Sequence, residues 1–310
     1  MHPAFSILIF TTLIGIAQGA VVVFALLTLL GINMPNGLLN HGLLICTTLL
    51  IAGLVASFFH LGHKMRAWRA IMMWRTSWMS REVIILPVFI AITGLWWVSV
   101  ALKWQGLSTW LLPVLALIGA LALWYCTAMI YACLRFIEEW CNGYTVPNFI
   151  LIGLSSGMIC TCALASVMKA TALRDTLAPF AILLSLVALT VRWMSVQHNL
   201  AIRHKSNLQS ATGIPGKQLL QKSMGMSAGS FNTREFFHGA GELGVRNMRW
   251  IFVVLGFVLP IALCIVGVFT QTTLPWLMAA LLQLPGLIAE RWFFFAQAKH
   301  PQNLYYQVVS

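Results

Sequence analysis

The residues best suited to chemistry concentrate in one polar stretch, residues 57–82, which reads SFFHLGHKMRAWRAIMMWRTSWMSRE. This stretch contains two of the eight histidines, His60 and His63, and five of the nineteen lysines and arginines. It also contains Glu82, one of only seven acidic residues. Only 8% of the protein is charged, whereas a soluble protein has about 25% charged residues. This concentration of polar residues therefore indicates a functional segment.

His60 stands at the end of an apolar run, two residues before Gly62. An ionisable residue at membrane depth is costly, which makes it a candidate for function. An imidazole can donate a hydrogen bond to a carbonyl oxygen and can exchange a proton near neutral pH. These properties suit a quinone head group, whose two carbonyl oxygens need donors and, on reduction, protons. A helix-end histidine that faces lipid headgroups is the simpler interpretation, and the residues alone leave both open.

The four arginines of this stretch, Arg66, Arg69, Arg75 and Arg81, also allow two interpretations. Basic residues beside apolar runs commonly anchor and orient membrane helices. One or two of these arginines can instead donate to a quinone oxygen or pair with Glu82.

The acidic residues outside this stretch differ in their expected surroundings. Glu138 and Glu139 lie in a loop and are expected to be solvated, whereas Glu290 lies in the last apolar run. Arg291 is not expected to face Glu290 directly, because adjacent residues do not share a helix face. We therefore expect Glu290 to have a partner on another helix.

The composition is typical of a helical membrane protein, with 60% hydrophobic residues and a mean hydropathy of +0.86. The first apolar run is too long for a signal peptide and is expected to be a true span. The net charge of +12 does not indicate nucleic-acid binding, because the basic residues flank apolar runs. A span needs about 20 apolar residues, and eight runs qualify: about 6–31, 41–62, 83–103, 108–135, 147–169, 177–198, 249–271 and 275–298.

These runs predict an all-α integral membrane protein of eight transmembrane helices in one bundle, with residues 1–310 as a single domain. Residues 63–81 are too polar to cross, and a helix there would place Met65, Trp68 and Met72 on one side. An interfacial segment at the headgroup level is therefore predicted after the second span.

Two polar regions beside the spans give further predictions. Ser80 is predicted to cap the third span, which would put Glu82 in its first turn, where the helix dipole favours an acid. Residues 199–248 are predicted to form a loop with short amphipathic pieces around GSFNTREFFHG.

No metal or haem is expected in this protein. The seven cysteines form no CxxC motif and most lie inside apolar runs, so neither a zinc site nor an iron–sulfur cluster is predicted. Haem with two histidine ligands needs histidines at matching depth on neighbouring spans. Only His60 and His198 form such a pair, and a second pair is lacking.

The distribution of basic residues predicts the orientation. With eight spans both termini share one side, together with loops 63–82, 136–146 and 199–248. All but three of the nineteen lysines and arginines lie on or nearer to that side, the exceptions being Lys103, Lys169 and Arg174. The positive-inside rule therefore places this side, with both termini, in the cytoplasm.

The stretch ASFFHLGHKMRAWRAIMMWRTSWMSREV resembles the membrane-anchor subunit of the dimethyl sulfoxide reductase family. HPAFSILIFTTLIGIAQG, YTVPNFILIGLSSG and GSFNTREFFHG resemble the branch that serves quinone-linked sulfite dehydrogenases. The resemblance extends over nearly the whole sequence, and its specific part is HLG followed by Arg-Ala and Ser-x-Glu.

The resemblance implies a complex of three subunits in a bacterial inner membrane. A molybdopterin catalytic subunit would pass electrons through an iron–sulfur subunit to an eight-span anchor that binds quinone or quinol and contains no haem. The quinone-site histidine of the family falls on His60 and its acidic residue on Glu82. His63 departs from the pattern of many relatives, which leaves open which histidine faces the quinone.

We therefore expect a non-catalytic anchor subunit that links the quinone pool, in the lipid bilayer, to an iron–sulfur partner, with sulfite oxidation favoured. A quinol-oxidising dimethyl sulfoxide reductase-type complex needs the same anchor and remains an alternative. A transporter is the alternative from another class, although no paired interrupted spans are visible. The expected quinone-binding residues are His60, Gly62, Arg66, Arg69, Trp74, Arg75 and Glu82, with His63, Glu290 and Arg291 as secondary candidates.

Overall fold

The structure is a computed structural model that describes residues 4–35, 37–59, 61–104, 106–215, 219 and 240–301. These residues form helices, turns and irregular links, and no β-strand occurs among them. Eight helices within the described ranges are long and apolar enough to cross a membrane. The predicted fold class is therefore confirmed.

Six of the spans are continuous α-helices, and the fourth and seventh each include a π-helical turn. In sequence order the elements are α1 (Phe5–Leu29), α2 (Leu38–Phe58), a 3₁₀ helix (Lys64–Met73), α3 (Trp78–Ala101), a π turn (Leu107–Leu111), α4 (Leu112–Ala132), α5 (Thr145–Val167), α6 (Thr171–Ala201), the short α7 (Leu208–Thr212), α8 (Glu242–Val253), a second π turn (Val254–Val258), α9 (Leu259–Thr270) and α10 (Leu274–Ala296).

The spans are helical because a lipid-exposed backbone must satisfy its own hydrogen bonds. The links at one end of the bundle are short and turn through the left-handed region of backbone conformation. Gly37 (φ +98°), Lys103 (φ +54°), Lys169 (φ +58°) and Gln271 (φ +55°) each supply such a turn between consecutive spans. A left-handed residue just after the last helical residue is a common way to end an α-helix.

We call the other end of the bundle the basic end. At this end α1, α3, α5 and α8 begin, and α2, α4, α6 and α10 end. Its links are longer and comprise residues 59–77, 133–144 and 202–241. The exposed residues Lys64, Arg66 and Arg69 lie in the first of these links. Part of the third link, including GSFNTREFFHG, lies outside the described residues.

The first helix occupies the centre of the bundle. It packs against α2, α4, α5 and α10, and 78% of its most apolar window is buried. Its crossing with α5 is close because glycines meet there. A Cβ built at Gly19 would lie 1.8 Å from the carbonyl oxygen of Gly153, and one at Gly157 would lie 2.1 Å from the backbone nitrogen of Ala20. Small residues of this kind let membrane helices approach closely.

The π turn of the seventh span is satisfied by a side chain of the eighth. Gln283 Nε2 donates to the carbonyl oxygen of Gly256 at 3.2 Å, and Gly286 packs against Gly256 at the same level. A π turn disturbs the regular helical ladder, so this contact gives the carbonyl a donor inside the bundle.

Candidate functional site: a buried polar pocket at the basic end

The link between α2 and α3 is mostly exposed. His60 lies outside the described residues. Of the other predicted site residues here, the exposed ones are Gly62, His63, Arg66, Arg69, Trp74 and Arg75. Met65 is 91% exposed and Trp68 60% exposed, as expected for side chains that face a bilayer interface or a partner. The segment is a 3₁₀ helix rather than an α-helix.

Arginines of this link stack on its tryptophans and tie it to the third span. The guanidinium carbons of Arg69 and Arg75 lie 5.6 and 5.4 Å from the ring centroids of Trp68 and Trp74. Arg81 donates from Nε to the carbonyl oxygen of Trp74 and from Nη2 to that of Arg75, both at 2.9 Å. Arg81 therefore fixes the end of the exposed segment against the start of α3.

The third span begins earlier than the sequence predicted. Its cap is Ser77, whose side chain accepts a hydrogen bond from the backbone nitrogen of Ser80 at 3.4 Å. The prediction that Ser80 is the cap is therefore wrong, and Glu82 lies just beyond the first turn of α3. A serine three residues earlier serves equally well as a cap, so the residue type alone did not distinguish the two.

Glu82 has a buried carboxyl group. Only 8% of it is exposed, and the Thr127 hydroxyl of α4 donates a hydrogen bond to its Oε1. The structure therefore places the predicted acid inside the bundle, whereas the arginines of the link are exposed.

Glu82 and Thr127 line a pocket between α1, α3, α4, α5 and α10. The pocket has about 280 Å³ of empty space, counted together with its opening. Its interior is narrow, with room for about one water molecule. The residues that line it are Phe10, Thr11, Ile14, Gly15, Gln18, Glu82, Trp124, Thr127, Phe149 and Arg291.

A buried ion-pair network adjoins this pocket. Arg192 of α6 and Glu290 of α10 are each 1% exposed, and Arg192 Nε lies 2.7 Å from Glu290 Oε1. The expected partner of Glu290 on another helix is thus confirmed. Arg291 Nε also lies 3.4 Å from Glu290 Oε2, so the expectation that these neighbours do not meet is wrong. Their long side chains reach each other although the Cα–Cβ bonds of the two residues point in different directions.

The charges of this network do not cancel by themselves. Arg192 and Arg291 each contribute one positive charge, whereas Glu290 contributes a single negative charge. An uncompensated charge is costly at low dielectric. Glu82, across the pocket from Arg291, supplies the fourth charge when it is ionised.

Of the ten residues that line the pocket, the sequence predicted only Glu82 and Arg291. Gln18, Trp124 and Thr127 are three that it missed. Gln18 is buried and donates from Nε2 to the carbonyl oxygen of Ala120 at 3.2 Å. Trp124 is 1% exposed, and its Nε1 has no acceptor among the described residues. The third is Thr127. The signal available for Gln18 was an amide within a long apolar run, and none distinguished Trp124 from the other tryptophans.

The loop between α4 and α5 is also more buried than expected. Glu139 is 4% exposed and lies 3.5 Å from His204 Nε2. Its carbonyl oxygen accepts hydrogen bonds from the Asn142 and Asn199 side chains. The prediction that this acid is solvated is therefore wrong, because the segment after α6 folds over it.

The described residues include no group of three or more histidines, cysteines or acids that could hold a metal ion. His198 is exposed near the end of α6, where its ring centroid lies 5.6 Å from that of Tyr144. Partial burial lowers the pKa of His300, which follows α10 at the basic end.

Comparison with known proteins gives the family. Residues 1–296 match the family model described as DMSO reductase anchor subunit (DmsC). The chain belongs to this family. It is 40% identical to the C subunit of the sulfite dehydrogenase of Allochromatium vinosum, over 100% of both proteins. It is 31% identical to anaerobic dimethyl sulfoxide reductase chain YnfH of Escherichia coli, over 58% of this chain and 63% of that one.

A further relative belongs to the anaerobic dimethyl sulfoxide reductase of Haemophilus influenzae, and it is 29% identical over 64% of this chain and 74% of that one. Family membership and the eight apolar helices together make this protein a multi-pass membrane anchor. It is a non-catalytic subunit type found in oxidoreductase complexes, as the sequence predicted.

Proposed function

We propose that this DmsC-family anchor binds quinone and passes electrons between the quinone pool and an iron–sulfur subunit of a molybdopterin oxidoreductase complex. The anchor itself would hold no haem or metal, and the partner subunits would hold the molybdopterin and the iron–sulfur clusters. The bound quinone or quinol would be its sole cofactor.

The single observation that supports this proposal most is the burial of Glu82 in a polar pocket at the basic end. A buried carboxyl group can exchange protons with a quinone, which must gain two protons when it is reduced. The pocket lies among five spans at the basic end, and the exposed, arginine-rich link lies at the same end of the bundle. A quinone bound there is close to the membrane surface, where a peripheral partner can deliver or accept electrons.

Within this site, His60 is proposed to donate to one quinone oxygen, with His63 as the alternative histidine. Arg66, Arg69 and Arg75, together with Gly62 and Trp74, would close over the head group from the link. Glu82 would exchange the proton, and Glu290 with Arg291 would support it from α10.

The basic end is proposed to face the cytoplasm of a bacterial inner membrane and to dock the iron–sulfur subunit. The long links at this end support the docking, because the short turns at the opposite end offer little surface. The excess of lysine and arginine at the basic end supports the orientation.

Sulfite oxidation is the proposed direction of electron flow. The full-length similarity to a sulfite dehydrogenase anchor supports it, since the dimethyl sulfoxide reductase relatives match a smaller part of the sequence. Electrons would then pass from sulfite through the catalytic and iron–sulfur subunits to the quinone.

The test is to purify the complex with its partner subunits and to compare sulfite-dependent quinone reduction with quinol-dependent sulfoxide reduction. We expect the first reaction to dominate. A complex that catalyses neither reaction would refute the proposed function, and dominance of the second would reverse the proposed direction.

His60→Ala tests the site within that complex. Losing one hydrogen bond to a buried polar ligand costs about 1–3 kcal/mol, or roughly 5- to 150-fold in affinity. We expect quinone-coupled turnover to fall while dye-coupled turnover of the catalytic subunit is retained. His198→Ala, at an exposed histidine of the same end, is the matched control and should change neither rate.

A further inference from the structure

We propose that the pocket binds a single oxygen of the quinone head group, with Trp124 and Arg291 as donors and Glu82 as the group that exchanges its proton. This inference rests on the proposed function; it adds Trp124 to the same site and makes Arg291 a donor there. Trp124 lies outside the stretches of sequence on which the family resemblance rests.

Trp124 provides the first argument. Its indole is buried and lines the pocket, and its N–H has no acceptor among the described residues. A buried donor without a partner costs about 1–3 kcal/mol, so a ligand oxygen at this position would remove an existing penalty. The indole edge is held against α5, where a Cβ built at Gly153 would lie 2.8 Å from Nε1.

Arg291 provides the second argument. It lines the pocket, and its guanidinium carbon lies 4.0 Å from the ring centroid of Phe149. Its Nε meets Glu290, but Glu290 is also paired with Arg192 at the shorter distance of 2.7 Å. The network therefore keeps a net positive charge on the side that faces the pocket. Such a charge favours a ligand whose oxygen becomes negative on reduction.

The width of the pocket provides the third argument. Its interior has room for about one water molecule, which suits one oxygen atom but not a quinone ring. The ring would then remain outside the narrow part of the pocket.

Proton transfer can be balanced with these groups. A quinone takes two electrons from the iron–sulfur partner and two protons to become a quinol. The Glu82 carboxyl gives one proton to the bound oxygen, which forms an O–H bond as the carboxyl O–H bond breaks. The resulting carboxylate balances Arg291 and later regains a proton from water at the basic end. The second quinone oxygen, outside the pocket, takes its proton from water there.

The test compares Trp124→Phe with Trp276→Phe in the purified complex. Both tryptophans are buried, and neither Nε1 has an acceptor among the described residues, but Trp276 lies at the opposite end, in the first turn of α10. We expect Trp124→Phe to raise the KM for quinone by about 5- to 150-fold. Trp276→Phe should leave this KM unchanged, and dye-coupled turnover should be the same for both.

Arg291→Lys gives a second variant, with Arg174→Lys as its control, because Arg174 is equally buried but pairs with Asp175 at the opposite end. We expect Arg291→Lys to raise the KM for quinone and Arg174→Lys to leave it unchanged. If the Trp124→Phe complex does not assemble, the comparison of Arg291→Lys with Arg174→Lys tests the inference.

Three results would overturn the inference. One is an unchanged KM in Trp124→Phe, whether or not kcat falls, and another is an equal rise in KM in the two tryptophan variants. The third, which decides if Trp124→Phe does not assemble, is an unchanged KM in Arg291→Lys. In each case the unmodified complex still reduces quinone, so the proposed function stands. Its own failure would appear as a lack of quinone reduction before any substitution is made.

Discussion

At the residue scale, Thr127 holds Glu82 by a hydrogen bond that crosses from α4 to α3. Thr127→Val keeps the shape of the side chain but leaves the buried carboxyl group of Glu82 without this donor. We expect the complex to lose about 1–3 kcal/mol of stability, measured as a lower Tm in detergent. Thr93→Val is the matched control, because the Thr93 hydroxyl donates to the carbonyl oxygen of Phe89 in its own helix. An equal loss in both variants would contradict a special role for the Thr127 contact.

The Arg192–Glu290 pair allows a second prediction at this scale. Glu290→Gln removes the charge that compensates Arg192, which is 1% exposed. Breaking a buried ion pair by removing one partner costs about 3–5 kcal/mol. We therefore expect much less folded protein in the membrane, measured by monodispersity after solubilisation. Glu138→Gln, at a half-buried loop residue, should have little effect, and normal yields of Glu290→Gln would refute the prediction.

The sequence identified both acids because acids are rare in this protein: Glu82 ends the polar stretch before the third span, and Glu290 lies inside an apolar run. It missed Gln18, Trp124 and Thr127 because uncharged polar and aromatic residues are common in spans. Which of them face one another depends on helix packing, which is not local in the sequence. Glu139 was misjudged for the same reason, since its contacts Asn199 and His204 come from the end of α6 and from the residues that follow it.

At the scale of helices, the crossing of α1 and α5 depends on Gly19. A Cβ there would lie 1.8 Å from the carbonyl oxygen of Gly153, so Gly19→Ala must push the two helices apart. We expect a marked loss of folded protein, measured as a thermal shift in detergent. Gly15→Ala on the same helix is the control, because a Cβ at Gly15 would have nothing within 4 Å. A stable Gly19→Ala variant would show that the crossing tolerates separation.

The helices themselves were largely predictable from the sequence, because a run of about 20 apolar residues has few other options in a membrane. The ends were less predictable. α6 begins at Thr171, six residues before the predicted start, because Arg174 is buried and pairs with Asp175 instead of ending the helix. The segment after α2 was predicted to be helical, but its hydrogen-bond pattern is that of a 3₁₀ helix.

For the whole molecule, the native cysteines can test the proposed orientation. Cys133 and Cys141 are exposed at the basic end, whereas Cys46, Cys126, Cys162 and Cys264 are buried. A membrane-impermeant thiol reagent should therefore label the protein in inverted vesicles but not in intact spheroplasts. Thr272→Cys adds an exposed thiol at the opposite end and should become labelled in spheroplasts. Labelling of the native cysteines from the periplasmic side would overturn the orientation.

The pocket joins the first span to the last, and this has a consequence for synthesis. Gln18 and Phe10 come from α1, whereas Arg291 comes from α10. At a translation rate of about 5–20 residues per second, roughly 14 to 55 seconds separate the synthesis of Gln18 and Arg291. During that interval α1 lies in the bilayer without some of the helices that it packs against in the finished bundle. The pocket is completed only when the ribosome has delivered the final helix, so a truncated protein that stops before α10 inserts most of its spans but never forms this site.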